Sequence, residues 1–165
     1  MPGAPLGPTR WLDQDEMRAW LGLLGIVMEL PQALDRQLRA QAGIGHAYYS
    51  ILAVLSSSPN QESRLRDIAA RTGTSLSRLS HAIDALQDKG WVLRQPSEDA
   101  RRSTARLTPA GVAMLERVAP GHVSEVRRLV FDRLDPQDVR HLTEISGKLR
   151  SAGDQADESP LRALR

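Results

Sequence analysis

Thr74, Ser75, Ser77, Arg78, His81 and Asp84 are small or polar side chains at spacings that a single helix can gather. They suit recognition of a surface better than catalysis. The chain contains no glycine-rich phosphate loop, no nucleophile motif and no paired catalytic acids, so the residues exclude the common enzyme classes. The guanidinium of Arg78 can donate two parallel hydrogen bonds to the edge of guanine, and the hydroxyl of Ser77 can meet either a donor or an acceptor edge. Small neighbours such as Thr74 let bases approach closely. Read alone, this is also what any solvated helix face looks like, and the residues that follow decide between the two readings.

After Gly90 the sequence turns to strand-type residues, Trp91-Val92-Leu93-Arg94, crosses a polar stretch and returns through residues 102–107. The pattern predicts a β-hairpin with Asp99, Arg101 and Arg102 at its tip and Arg94 and Arg106 on its stalks. A slender basic projection beside a helix can reach a phosphate backbone or a minor groove, where arginine gains from focused negative potential. Asp99 would be repelled by phosphate, so its place is internal, in a salt bridge to Arg101 or Arg102 that fixes the loop.

Other elements must hold this pair in place. Ser63 is a candidate cap for a short helix with Leu65, Ile68, Ala69 and Thr72 on its apolar side, and Thr72-Gly73-Thr74 forms a tight turn. A second helix from Ser75 to Lys89 follows. At about 100° per residue, Leu76, Leu79, Ile83 and Leu86 share its inner side, opposite Thr74, Ser77, Arg78, His81 and Asp84. Two short helices joined by a glycine-containing turn, followed by a hairpin, predict a winged helix-turn-helix domain over 59–108.

Upstream, Asp13 and Glu16 form a capping-box pattern before a long helical period from Met17 to Leu38, which Pro31 is expected to kink or split near Leu30. A second helix around Tyr48 to Leu55 completes an N-terminal helical region, 13–58. Downstream, Thr108-Pro109 and Asp135-Pro136 each start a helix within 109–151, with a kink expected at Pro120-Gly121. Residues 1–12 read as a loose arm and 152–165 as a polar tail. The fold class is therefore mainly α with a small β-hairpin wing, a winged helix-turn-helix domain plus a helical dimerisation layer. The apolar faces of the first and last helices exceed what a domain of roughly 50 residues can cover, which predicts a homodimer.

Charge distribution agrees. The net charge of the 165 residues is only +2, yet the segment from Ser63 to Thr108 holds nine Arg or Lys against five acids, while the rest holds thirteen against fifteen. No apolar run approaches the roughly 18 to 20 residues that cross a bilayer, and the first ten residues lack the order of a secretory signal, so the expected location is cytoplasmic with no membrane association. Cysteine is absent, excluding thiol redox switches and thiolate metal sites. His46, His81, His122 and His141 lack close metal-ligand spacing, and neither a metal nor a cofactor is expected.

The order and spacing of Leu65-Arg66-Asp67-Ile68-Ala69, Ser77-Arg78-Leu79, Lys89-Gly90-Trp91-Val92, Asp99-Ala100-Arg101 and Leu107-Thr108-Pro109-Ala110-Gly111 resemble the multiple antibiotic resistance regulator (MarR) family of winged-helix transcription factors. The resemblance spans about Asp13 to Arg150. It implies a ligand-responsive repressor that binds an inverted-repeat operator in double-stranded DNA as a homodimer. It assigns Arg101 to the minor groove and Asp99 to its support. The family usually places a glycine directly beside that arginine, whereas Ala100 and Arg102 flank it here. The resemblance further implies a small aromatic or phenolic effector in a cleft between the dimer layer and the DNA-reading lobe, for which Trp20, His46, Tyr48 and Tyr49 are the candidate lining residues. Plain core and interface packing is the competing account of these four. A winged-helix protein interaction module without DNA binding is the alternative to the regulator as a whole.

Overall fold

The computed structural model describes residues 9–95 and 103–156. Two compact units divide at Ala119 and Pro120. The first unit begins with helix α1 (Gln14–Ala42), opened by the predicted capping box: Asp13 Oδ1 accepts the N–H groups of Asp15 and Glu16, and Glu16 Oε2 accepts that of Asp13. The helix runs through Pro31 without interruption, so of the kink or split expected near Leu30 the split does not occur. A proline removes one backbone bond, and a 29-residue helix anchored by buried Leu34 and Leu38 beyond the proline absorbs that loss. Gly43, at φ 67°, closes the helix in the left-handed conformation that glycine adopts without a Cβ penalty.

Helix α2 (His46–Ser56) follows, then a 3-10 turn (Pro59–Gln61), strand β1 (Glu62–Arg64), helix α3 (Leu65–Thr72), helix α4 (Leu76–Asp88) and strands β2 (Val92–Gln95) and β3 (Thr104–Leu107). The two-stranded hairpin of the sequence reading is a three-stranded antiparallel sheet ordered β1-β3-β2. Its extra strand contains Ser63, so Ser63 is not the cap of α3; Arg64 occupies that position and provides no side-chain bond. Pairing with β3 sets Glu62 against Arg106 and Arg64 against Thr104. Three residues are too few for periodicity to announce a strand, and the pairing with β3 is what holds them extended.

One core joins these elements. Leu38, Leu52, Leu55, Ile68, Ile83, Leu86 and Val92 are fully buried, and Ala105 and Leu107 bring the sheet onto them. Helix α5 (Pro109–Leu129) starts at Thr108 as expected: its Oγ1 accepts the N–H of Gly111 and donates to the carbonyl of Gly90. The helix also continues through Pro120. In the second unit, helix α6 (Pro136–Ala156) is opened by Asp135, whose carboxylate accepts the N–H groups of Gln137 and Asp138, and it extends past Ser151, where the tail was expected to begin.

Candidate nucleic-acid interface

The turn between α3 and α4 is built as its sequence requires. Gly73 sits at φ 64°, and the N–H of Thr74 bonds to the carbonyl of Ala69, closing α3 so that α4 leaves at a defined angle. Ser75 is the N-cap of α4, its Oγ accepting the N–H of Arg78 at 3.3 Å. Its hydroxyl therefore holds the helix start. Leu79, Ile83 and Leu86 anchor the inner face, while Ser77, Arg78, His81 and Asp84 are exposed on the outer one, as the helical period predicts. Thr74 is half-buried at the turn.

Leu76 departs from that period. It was expected in the core with Leu79 and is 55% exposed. As the first residue of α4 it has no preceding turn to lie against, and the Cα–Cβ bond of a helical residue tilts toward the N-terminus, past the end of the element.

Arg94 departs too. The stalk position suggested an outward, phosphate-facing cation, but the pleat turns it inward: Val92 faces the core, so Arg94, two residues on, shares that side with its cross-strand partner Ala105. Arg94 Nη1 lies 2.9 Å from Asp84 Oδ1 and 3.0 Å from Ser80 Oγ, and its backbone N–H donates to Gln87 Oε1. Asp84 and Arg94, read separately from sequence as contacts to a partner, are thus brought together as a brace between α4 and β2. Leu93 and Arg106 take the opposite, exposed face of the sheet, with Glu62 beside Arg106. The wing-tip residues Asp99, Arg101 and Arg102 lie outside the described residues, as do residues 1–8 of the expected arm and 157–165 of the tail.

A second feature adjoins α4. The C-terminal half of α1, the start of α2 and the flank of α4 enclose an open cavity of about 760 Å³, within the size range of small-molecule sites. Asp35, Arg36, His46, Tyr48, Thr74 and Arg78 are among its lining. Of the four residues singled out for an effector cleft, His46 and Tyr48 are brought together here. Trp20 lies on the exposed N-terminal half of α1 and is not part of the lining; Tyr49 belongs to the core, where burial pushes its phenol above the ordinary value. Tyr49 is one residue, and so about 100°, round from Tyr48, while Trp20 lies eleven residues before Pro31, the first α1 residue of the lining.

Asp35 and Arg36 were not foreseen. Asp35 Oδ1 accepts the backbone N–H of His46 at 2.8 Å, capping α2 from eleven residues upstream because Gly45 at the N-cap has no side chain to do so. Its other oxygen takes Arg39 Nε at 2.5 Å. The bond from Arg39, followed by that from His46, holds the Asp35 carboxyl below its usual range, while burial lowers the proton affinity of the His46 ring. The only signal in the sequence was Gly45 before an apolar helix, a start with no cap of its own.

Among the described residues no cluster of His, Asp and Glu could hold a metal ion, and no helix is long and apolar enough to cross a membrane.

A family model described as the MarR family matches residues 42–103, the segment from the end of α1 to the start of the returning wing strand. Among solved structures, the chain is similar to Sco3205, a MarR family transcriptional regulator from Streptomyces coelicolor crystallised in complex with DNA, with 39% identity, 92% of this chain and 96% of that one covered, and a TM-score of 0.83. It is similar to AbsC, a MarR family transcriptional regulator of the same organism, with 36% identity, 92% and 100% coverage and a TM-score of 0.77. The transcriptional repressor MprA of Escherichia coli K12 is 27% identical over 125 residues, 75% of this chain and 70% of that protein. The winged helix-turn-helix built above is the fold these regulators share, and with more than a third of its residues identical to those of two of them over nearly its whole length, this chain belongs to the MarR family of transcriptional regulators.

Proposed function

We propose that the protein is a sequence-specific, DNA-binding repressor that grips an inverted-repeat operator as a homodimer. Helix α4 enters the major groove with Ser77, Arg78 and His81 toward base edges, and Arg101, aimed by Asp99, reaches the neighbouring minor groove, with Arg102 toward phosphate. The observation that carries this reading is the brace from Arg94 to Ser80, Asp84 and Gln87, because it couples the helix with the exposed polar face to the strand that leads into the basic wing. A helix and a wing held as one body can read two grooves together. The DNA complex of Sco3205, a relative at 39% identity, supports the same reading.

The dimer follows from what a single copy leaves uncovered. In α1, Met17, Trp20, Leu21, Ile26, Val27 and Met28, and in α6 Leu142, Ile145 and Leu149, are each 42% or more exposed. Apolar surfaces of this extent mark association sites, and a two-fold copy sets two recognition helices one DNA turn apart. In the cavity beside α4, His46 and Tyr48 supply aromatic walls and Arg36 and Arg78 supply cations, which suits a small aromatic or phenolic effector.

Electrophoresis of the purified chain with sheared genomic DNA at low salt tests the core of the proposal. Retarded complexes that compete away with rising salt are expected. Complete absence of retardation at any protein concentration would hand the fold to the alternative, a module that binds protein instead of DNA.

A further inference from the structure

Leu76 is the one large apolar residue on α4 that the core does not absorb: 55% of it is exposed, against 1% or less for Leu79, Ile83 and Leu86. A single exposed leucine is ordinary on a protein surface. This one stands on the first turn of the helix, beside Ser75, whose hydroxyl is committed to the cap, and one position before the exposed Ser77. One turn further along the same strip is Ser80, and its hydroxyl is taken by Arg94. The wing-side edge of the first turn therefore offers an apolar surface bounded by small side chains. Arg78 is turned about 200° away from it on the helical wheel.

Residues at the start of a recognition helix are the ones that meet base edges. Each base pair shows the major groove a set of donors and acceptors, and A·T pairs add an apolar group, the C5-methyl of thymine. We propose that Leu76 is a specificity-determining residue that packs on a thymine methyl in each half-site, an inference that rests on the DNA-binding reading above. The first turn then reads two chemistries at once: hydrogen bonding through Ser77 and Arg78, and a methyl through Leu76.

The test begins with a duplex selected from a random library by the full-length protein, in which thymines are replaced one at a time by deoxyuridine, removing the methyl and nothing else. The wild type is expected to lose about fourfold in affinity per half-site at one symmetry-related thymine, the effect of one buried methyl-sized group. Leu76→Ala should bind the thymine and uracil duplexes equally, and Leu76→Met, which keeps an apolar reach, should still tell them apart. If the wild type binds every uracil-substituted duplex as tightly as the parent, or if Leu76→Ala keeps the full discrimination, the inference is overturned while the DNA-binding reading stands. If no duplex is selected at all, both fall together.

Discussion

Arg94 Nη1 lies 2.9 Å from Asp84 Oδ1, so the wing strand β2 is fastened to the outward flank of α4. Both side chains keep solvent contact, 29% for Arg94 and 54% for Asp84, and such pairs contribute only about 0.2 to 1 kcal/mol. The value of the contact is geometric: it fixes where a reading helix stands relative to the wing that accompanies it.

The brace predicts a separation of affinity from salt dependence. Arg94→Ala should weaken DNA binding several-fold while leaving the slope of log affinity against log salt almost unchanged, because a brace touches no phosphate. A fall in slope of about one per subunit, the mark of a lost phosphate contact, would show that Arg94 leaves Asp84 to grip the backbone.

The wing is also fixed from behind, by Gly111. A Cβ there would stand 2.2 Å from the carbonyl oxygen of Trp91 and 2.9 Å from Leu107 Cδ1, so Gly111→Ala must push the start of α5 away from the sheet. Urea unfolding should show a loss of about 1 to 3 kcal/mol, the usual cost of overpacking. By contrast, no neighbouring atom lies within 4 Å of a Cβ added at Gly25, in α1, and Gly25→Ala should not show that loss in the separated chain.

Asp35 and His46 predict how stability follows pH. Burial favours the neutral ring of His46, so the unfolded chain binds this proton more tightly than the folded one. Stability from this source is complete above about pH 6.5 and declines as the pH falls below it, and His46→Gln should flatten that decline. The lowered carboxyl of Asp35 contributes stability that is present above its ordinary value of 3.8 and is lost as the pH falls below it. At neutral pH, Asp35→Ala should cost about 1 kcal/mol through the lost cap of α2, measured by thermal or urea unfolding.

The uncovered face of α1 predicts its own disruption. Ile26 is 60% exposed and Val27 is 58% exposed. Ile26→Glu places a charge where a second copy is proposed to pack, and sedimentation should report monomers at concentrations where the wild type is dimeric. A monomeric wild type would rule out the proposed dimer.

Much of this was written plainly in the chain. The capping box at Asp13, the left-handed Gly73, the Thr108-Pro109 start and the alternation of Leu79, Ile83 and Leu86 with Ser77, His81 and Asp84 are local rules, and local rules survive folding. What escaped depends on partners distant in sequence. Strand β1 exists only because β3 pairs with it, and the Asp35 cap spans eleven residues between two helices. Pro31 does not split α1, since a strong local breaker is overruled by a long helix whose buried Leu34 and Leu38 anchor it beyond the proline. The inward turn of Arg94 was within reach: once Val92 is known to be buried, a period of two puts Arg94 on the same side. Leu76 satisfied the apolar period and still missed the core, because a wheel does not record that a helix has an end.

Whether the face of α4 and the basic wing meet a duplex together is decided by one set of titrations. Binding is measured by fluorescence anisotropy over a range of salt, for the wild type, Arg78→Ala and Arg101→Ala, on a selected duplex and on its scrambled counterpart. Arg101→Ala should weaken both duplexes alike and lower the salt slope by about one per subunit, whereas Arg78→Ala should shrink the preference for the selected sequence. Unchanged affinity and slope for Arg101→Ala, together with an undiminished sequence preference for Arg78→Ala, would mean that helix and wing do not meet the duplex together.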